Sequence, residues 1–323
     1  MIQRYTGLMP SSAVLGIDEE KKEWQLWLDS RYTSREIRPR SWWTLTKHHR
    51  SSDWSLLDLN QTYFIQSTCS IATQTSLQAS WIAISVDSKD WWSQKRLIKS
   101  ELEIETMKRC YAKSLQVLEY INQKISDTSI IGKSCLALRG ECIAYAMSLG
   151  LSWEAFDMIV ATGTQTASPH HETDMTLIGE WPLLIDMGRK RKWYCSDLTR
   201  CWWIGEESWE EYRLRKTIYD IVVQAKSACE KWVQVWMTGT EVDTLAREYI
   251  TTAGYGEYFT HSTGHGIGLE VHEQPRITKT SRGSKVLLKN MCFTIEPWIY
   301  LPWKFGVRLE DSYVMGSSWL VLL

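Results

Sequence analysis

Five short apolar segments of this chain each hold one acidic residue or histidine in their midst, and no other feature limits the fold as much. They are LLIDMG around Asp186, YCSDLTR around Asp197, TGHGIG around His265, FTIEPW around Glu296 and GVRLEDS around Glu310. Runs of this length and makeup read as buried strands. An unpaired ionised group buried in such a strand costs several kcal/mol even after relaxation, so something cationic must compensate it. Four clustered carboxylates carry four negative charges, and the arginines close by in sequence are Arg200 and Arg308. Two divalent cations would balance the remainder. One histidine with four carboxylates is a hard, oxygen-rich donor set, which favours Mn²⁺ over a thiolate-bound structural zinc and leaves Co²⁺, Fe²⁺ and Zn²⁺ open. Asp186 and Asp197 lie 11 residues apart across the basic stretch Arg189 to Lys192. A hairpin there would set both side chains at one site.

At 323 residues the chain is long enough for two domains. From Tyr5 to Val86, short apolar runs broken by Ser, Thr and charged residues suit a modest α/β domain. The polar stretch DSKDWWSQKRLIK, residues 87–99, reads as a linker, so the expected domains are 1–97 and 98–323. Behind it Ser100 and Glu103 form a capping box, followed by Ile104, Met107, Tyr111, Leu115, Leu118, Ile121 and Ile125 at helical spacing. Thr238 and Glu241 repeat the signal ahead of Val242 and Leu245, with Gly254 placed to end that helix. The remaining apolar segments read as strands at 183–187, 193–204, Val271, 293–295 and 306–309. The second domain is therefore expected to be α+β, with helices on a largely antiparallel sheet.

Lys+Arg at 37 nearly cancels Asp+Glu at 38, which points away from nucleic acid and from an anionic membrane surface. No stretch supplies the roughly 20 apolar residues that cross a bilayer, and the opening MIQRYTGLMPSS lacks the apolar core of a signal peptide. The eight cysteines (69, 110, 135, 142, 195, 201, 229, 292) are scattered without a Cys-x-x-Cys pair and read as reduced core residues. A soluble cytoplasmic protein acting on a small molecule or peptide is the expectation.

LLIDMG, SDLTR, HSTGHGIGLEVHE, IEPWIY and GVRLED together resemble, in order and spacing, the signature segments of the pita-bread metallopeptidases, in the branch of prolidase and aminopeptidase P. MIQRYTG and LDSRYTSR are similar to parts of that branch's smaller amino-terminal, creatinase-like α/β domain, which here begins late, as if truncated. The resemblance implies a dinuclear-metal peptidase, possessing a pita-bread catalytic domain, that hydrolyses the Xaa-Pro bond of dipeptides or at the amino terminus of peptides. It implies Asp186 on one metal, Asp197 and Glu310 bridging both, His265 and Glu296 completing the second, and a hydroxide between the ions as nucleophile. Glu296 is then the general base. His170 and His272 steady the substrate and the tetrahedral intermediate, and His261 and Arg308 line the proline pocket. A homodimer is implied on the same ground.

Other readings fit the sequence less well. Methionine aminopeptidases share the ligand set, but the amino-terminal domain and the Arg308-Leu309-Glu310 context argue against them. An inactive peptide-binding module, or a metal-free amidinohydrolase resembling creatinase, should have lost ligands, and all five are present. Gly264, Gly266 and Gly268 lack the strand and helix context of a dinucleotide fingerprint and are read as points where backbone approaches closely. Cys195 and Cys201 flank Asp197 but read as buried strand residues, and His48 and His49 as solvated. His170 is chosen over His171 on its Pro-His step, although it stands 16 residues before Asp186, about one short of the family spacing.

One number departs from ordinary composition: 19 Trp against 18 Gly. Trp193, Trp236, Trp298 and Trp303 stand where the resembled family has glycine, and Trp181 and Trp319 are further candidates. The expectation is that the gene reads UGA as glycine and was translated with a table reading it as tryptophan.

Overall fold

The computed structural model describes residues 91–323 except 180–181, 205–207 and 281–283, with side chains from residue 93 onward, and before residue 91 the backbone of five strands and residue 79. Trp181, Cys69 and the side chains of His48 and His49 lie outside the described residues. Contacts divide the chain into two units, Met1–Trp91 and Trp92–Leu323.

In the first unit β1 (Ala13–Asp18), β2 (Glu23–Leu28) and β3 (Thr44–Arg50) form a sheet in that order, the first pair antiparallel and the second parallel. A parallel pair is made by β4 (Thr62–Ile65) and β5 (Ala83–Val86).

The stretch expected to be a linker contains helix α1 (Trp91–Leu97). Two charges of this stretch, Arg96 and Lys99, are buried. Arg96 donates to Glu270 at 3.0 Å and to Glu273, and Lys99, 2% exposed, donates to Glu273 at 3.2 Å. These partners lie more than 170 residues away in sequence, which is why the segment looks like solvated chain when read locally.

Helix α2 (Glu101–Ser126) begins at the expected capping box, with Ser100 accepting from Glu103 N and the Glu103 carboxylate accepting from Ser100 N at 2.8 Å. It buries Ile104, Met107, Tyr111, Leu118 and Ile121. Helices α3 (Cys135–Ser148) and α4 (Trp209–Trp232) are additions to the expected pattern. In α3 the buried residues Cys135, Leu138, Cys142 and Ala146 recur at helical spacing, but exposed Leu136 and Met147 blur the stripe. The signal for α4 was present in the sequence: a Ser208–Glu211 capping box ahead of Ile218, Val222, Ala225 and Cys229. Helix α5 (Gly239–Thr252) starts at the Thr238–Glu241 box, and Gly254, at φ +89°, turns the chain out of it.

The strands of this unit are β6 (Ile159–Thr162), β7 (Leu183–Met187), β8 (Lys190–Arg191), β9 (Tyr194–Cys195), β10 (Leu198–Trp202), β11 (Gly264–Gly266), β12 (Glu273–Ile277), β13 (Cys292–Ile295), β14 (Trp298–Leu301), β15 (Phe305–Arg308), β16 (Asp311–Met315) and β17 (Leu320–Leu322). One antiparallel sheet runs β10-β7-β6 and a second β12-β11-β13-β16-β17. The pairs β8-β9 and β14-β15 are hairpins. Two expected strands shift: the one spanning 193–204 breaks at Ser196-Asp197, and the one at Val271 begins at Glu273. An isolated antiparallel bridge, Thr199↔Glu310, joins the sheets, and the metal-ligand candidates gather around it. Among the described residues no helix is long and apolar enough to cross a membrane. The seven described cysteines are free and buried.

Candidate metal centre

Each acidic side chain reaches the centre through its strand's register. Asp186 lies on β7 opposite Thr199 of β10, and Asp197 immediately precedes β10, so the hairpin through β8 and β9 brings the two aspartates to one place. Glu310 sits between β15 and β16, where it bridges Thr199. Glu296 follows β13, its N–H donating to Thr263 O at 2.7 Å. His265 is central in β11, and its neighbours Gly264 and Gly266 explain themselves: a Cβ on Gly264 would stand 2.1 Å from Thr294 O, and one on Gly266 2.0 Å from Gln274 O. Any side chain there would push β11 out of the sheet that carries the histidine.

All five residues line one cavity of about 500 Å³. Within it, ligand atoms of Asp197, His265 and Glu310 lie within 4.8 Å of one another. Glu296 Oε1 is 3.5 Å from His265 Nε2, and Asp197 Oδ2 is 3.6 Å from it. Asp186 is engaged differently, one oxygen accepting from Arg308 Nη2 at 2.5 Å. Of the two arginines expected to offset the acids, Arg308 does so, while Arg200 donates to the Glu310 carbonyl at 2.6 Å and to the Asp311 carboxylate at 2.6 Å.

The electrostatics fit divalent cations. Asp186 Oδ1, Asp197 Oδ1 and Glu310 Oε1 are buried oxygens without a hydrogen-bond partner. Native proteins rarely leave such atoms unsatisfied unless an ion takes them up. Burial, then the charges of Glu310, Asp186 and Glu296, hold the Asp197 carboxyl well above the usual range despite Arg308. Burial and the neighbouring Glu296 and Asp186 do the same to Glu310. Burial pushes Glu296 up to about 8, Arg308 opposing. Burial, with His272 and Arg276 nearby, lowers His265 to about 3, so its imidazole is neutral. With Nδ1 3.2 Å from Gly266 O, that nitrogen carries the proton and Nε2 keeps a free lone pair towards the acids.

The other expected site residues reach the same cavity: His170, His261, His272 and Arg308 all line it, and so does His171. His171 is 3.8 Å from Asp174. The His272 ring meets His265 edge-on at 4.3 Å. His261 stacks on Trp298 at 3.9 Å, and burial lowers it to about 4. Two participants were not singled out from sequence. Thr199 donates to Glu310 Oε2 at 2.7 Å and accepts from Arg308 Nε at 3.1 Å. Arg276, an exposed cation, lines the cavity wall. Thr199 could have been found from its place two residues after Asp197, at the start of β10, whereas nothing local marks Arg276.

The chain is similar to known proteins in both sequence and fold. The model of metallopeptidase family M24 matches residues 105–317. An uncharacterized peptidase of Bacillus subtilis is 38% identical over 224 residues, and the Xaa-Pro dipeptidase of Pyrococcus horikoshii 36% over 229 residues. Each alignment covers 69% of this chain and 61% of the relative. The chain thus spans about 61% of the length of these curated relatives. The solved prolidase from Pyrococcus furiosus superposes with a TM-score of 0.87 at 26% identity, covering 99% of this chain and 92% of that one. The α+β pita-bread fold expected from the signature segments is the fold observed.

Proposed function

This chain belongs to metallopeptidase family M24, and from that premise we propose that it is a dinuclear-metal peptidase cleaving the Xaa-Pro bond of dipeptides or at the amino terminus of short peptides. The observation that carries this reading is the convergence of three unsatisfied carboxylate oxygens and a neutral histidine on one cavity. Asp186, Asp197, His265, Glu296 and Glu310 would hold two divalent cations, with Mn²⁺ the best match to so hard a donor set. Bound there, such ions supply Lewis acidity and a water whose pKa falls towards neutrality.

The side chains do the rest. Glu296 sits 3.5 Å from His265 on the cavity wall, placed to take a proton on its carboxylate and deliver it to the leaving amine. His170 and His272 line the cavity, where they would donate to the carbonyl oxygen as negative charge develops on it. Arg308 holds Asp186 and, through Thr199, Glu310. His261 walls the side that receives the proline ring. Arg276 offers a counter-charge for a free substrate carboxylate, which favours dipeptides over longer peptides. A proline-containing peptide is the implied substrate, and a homodimer remains part of the same reading.

The test is metal content together with hydrolysis of Ala-Pro and Ala-Pro-Ala. About two Mn²⁺ per chain with cleavage of either peptide is the expected result, and faster cleavage of Ala-Pro supports the role of Arg276. Absence of both metal and cleavage sinks the proposal and leaves a binding role.

A further inference from the structure

At three turns the backbone and the side chain of this chain contradict each other. Lys192 and Trp193 join β8 to β9 as a two-residue hairpin loop, with φ of 47° and 73°. Positive φ at both central residues defines the type I′ turn, whose second position belongs overwhelmingly to glycine. In the turn from Leu301 to Lys304, which closes β14 onto β15, Lys304 N donates to Leu301 O at 3.1 Å, and Trp303 follows Pro302 at φ 62°. Proline followed by positive φ is the type II turn, and its third residue is glycine. From Gln234 to Met237 the same form recurs, Met237 N donating to Gln234 O at 3.3 Å and Trp236 at φ 79°.

Among the described residues six non-glycine positions have positive φ, and three of them are tryptophan. A residue carrying a β-carbon is strained in this region, and a bulky one is a genuine outlier. Two of these indoles gain nothing in return, since Trp236 is 71% and Trp303 93% exposed. A fourth conflict lies beside the cavity. Trp298 is 1% exposed, it stacks on His261 and Tyr300, and its indole Nε1 has no hydrogen-bond partner.

We infer that the functional protein carries glycine at positions 193, 236, 298 and 303, its gene using UGA as a glycine codon that the written sequence renders as tryptophan. One reassigned codon explains both the glycine-type turns and a tryptophan count of 19 beside 18 glycines. It also makes residue 298 a specificity-determining position, because glycine there clears the indole from the face of His261, a wall of the substrate cavity. That consequence rests on the peptidase reading above; the identity of the residues does not.

The deciding experiment is tandem mass spectrometry of peptides from the protein isolated from its source organism. Glycine is expected at 193, 236, 298 and 303, and tryptophan at any of the four overturns the inference. Recombinant chain bearing Trp193→Gly, Trp236→Gly and Trp303→Gly is expected to melt about 6 °C or more above the chain as written, and an unchanged or lower Tm counts against it. Adding Trp298→Gly to that background is expected to raise kcat/KM for Ala-Pro about tenfold or more, and an unchanged value removes 298 as a determinant. Should no form hydrolyse Ala-Pro while the native peptides still show glycine, the peptidase reading fails and the residue identities stand.

Discussion

Thr199 is fully buried and joins the two sides of the centre, its hydroxyl donating to Glu310 while accepting from Arg308. Replacing it with valine keeps the shape and strips the hydrogen bond from a carboxylate whose other oxygen already lacks one. Thr199→Val should cost about 1–3 kcal/mol of stability in a denaturant titration of the metal-free chain. It should also weaken metal binding by about 10–100-fold, measured by calorimetric titration. A variant that binds metal like the parent would show that Glu310 is oriented by its backbone bridge alone. Glu296→Gln removes the base together with one charged ligand: the fold should survive, and at saturating Mn²⁺ kcat for Ala-Pro should fall by about 10²–10⁴ with a smaller change in KM. The loss should be largest at pH values where the Glu296 carboxylate of the parent is ionised and shrink towards acid, because the amide cannot titrate.

At the scale of elements, β11 decides whether the histidine reaches the acids. With Thr294 O 2.1 Å from where a Cβ would stand, Gly264→Ala cannot be absorbed by a flexible side chain, since the obstacle is backbone. It should destabilise by about 3 kcal/mol and lower metal affinity together with stability, as followed by thermal melts with and without Mn²⁺. Loss of one without the other would mean that β11 and the centre are not coupled. The same strand shows what could be read from sequence. Glycines flanking a histidine, acids inside apolar runs and Ser or Thr three residues before Glu are local signals, and they located β7, β13, β15, α2 and α5. What was lost depends on distance. Helix α1 is held by Arg96 and Lys99 against Glu270 and Glu273, and Arg276 earns its interest only because the fold carries it to the cavity. Helix α4 was legible too, since its capping box precedes Ile218, Val222, Ala225 and Cys229 at helical spacing, but the expected pattern left it out.

For the whole molecule, the centre ties stability to pH and to metal in opposite senses. In the metal-free chain burial and mutual repulsion raise the carboxyls of Asp197 and Glu310, and burial brings Glu296 to about 8, against about 4 in an unfolded chain. Across that interval the folded state binds more protons than the unfolded one, so the contribution of these groups is full below about pH 4 and falls as pH rises towards about 8. Asp311 works the other way. Burial tends to raise it, but Arg200 and Lys226 prevail and hold it below the usual range, so its contribution is lost only in stronger acid. Divalent ions replace the protons on the raised acids, and their benefit therefore grows with pH. An ion at a hundred times its dissociation constant adds about 2.7 kcal/mol. Scanning calorimetry of chelated and Mn²⁺-saturated protein should show a gap in Tm that is small near about pH 5 and wide near about pH 8. A gap independent of pH would mean that the acids bind the ion without giving up protons, which their shared burial around Thr199 and Arg308 does not allow.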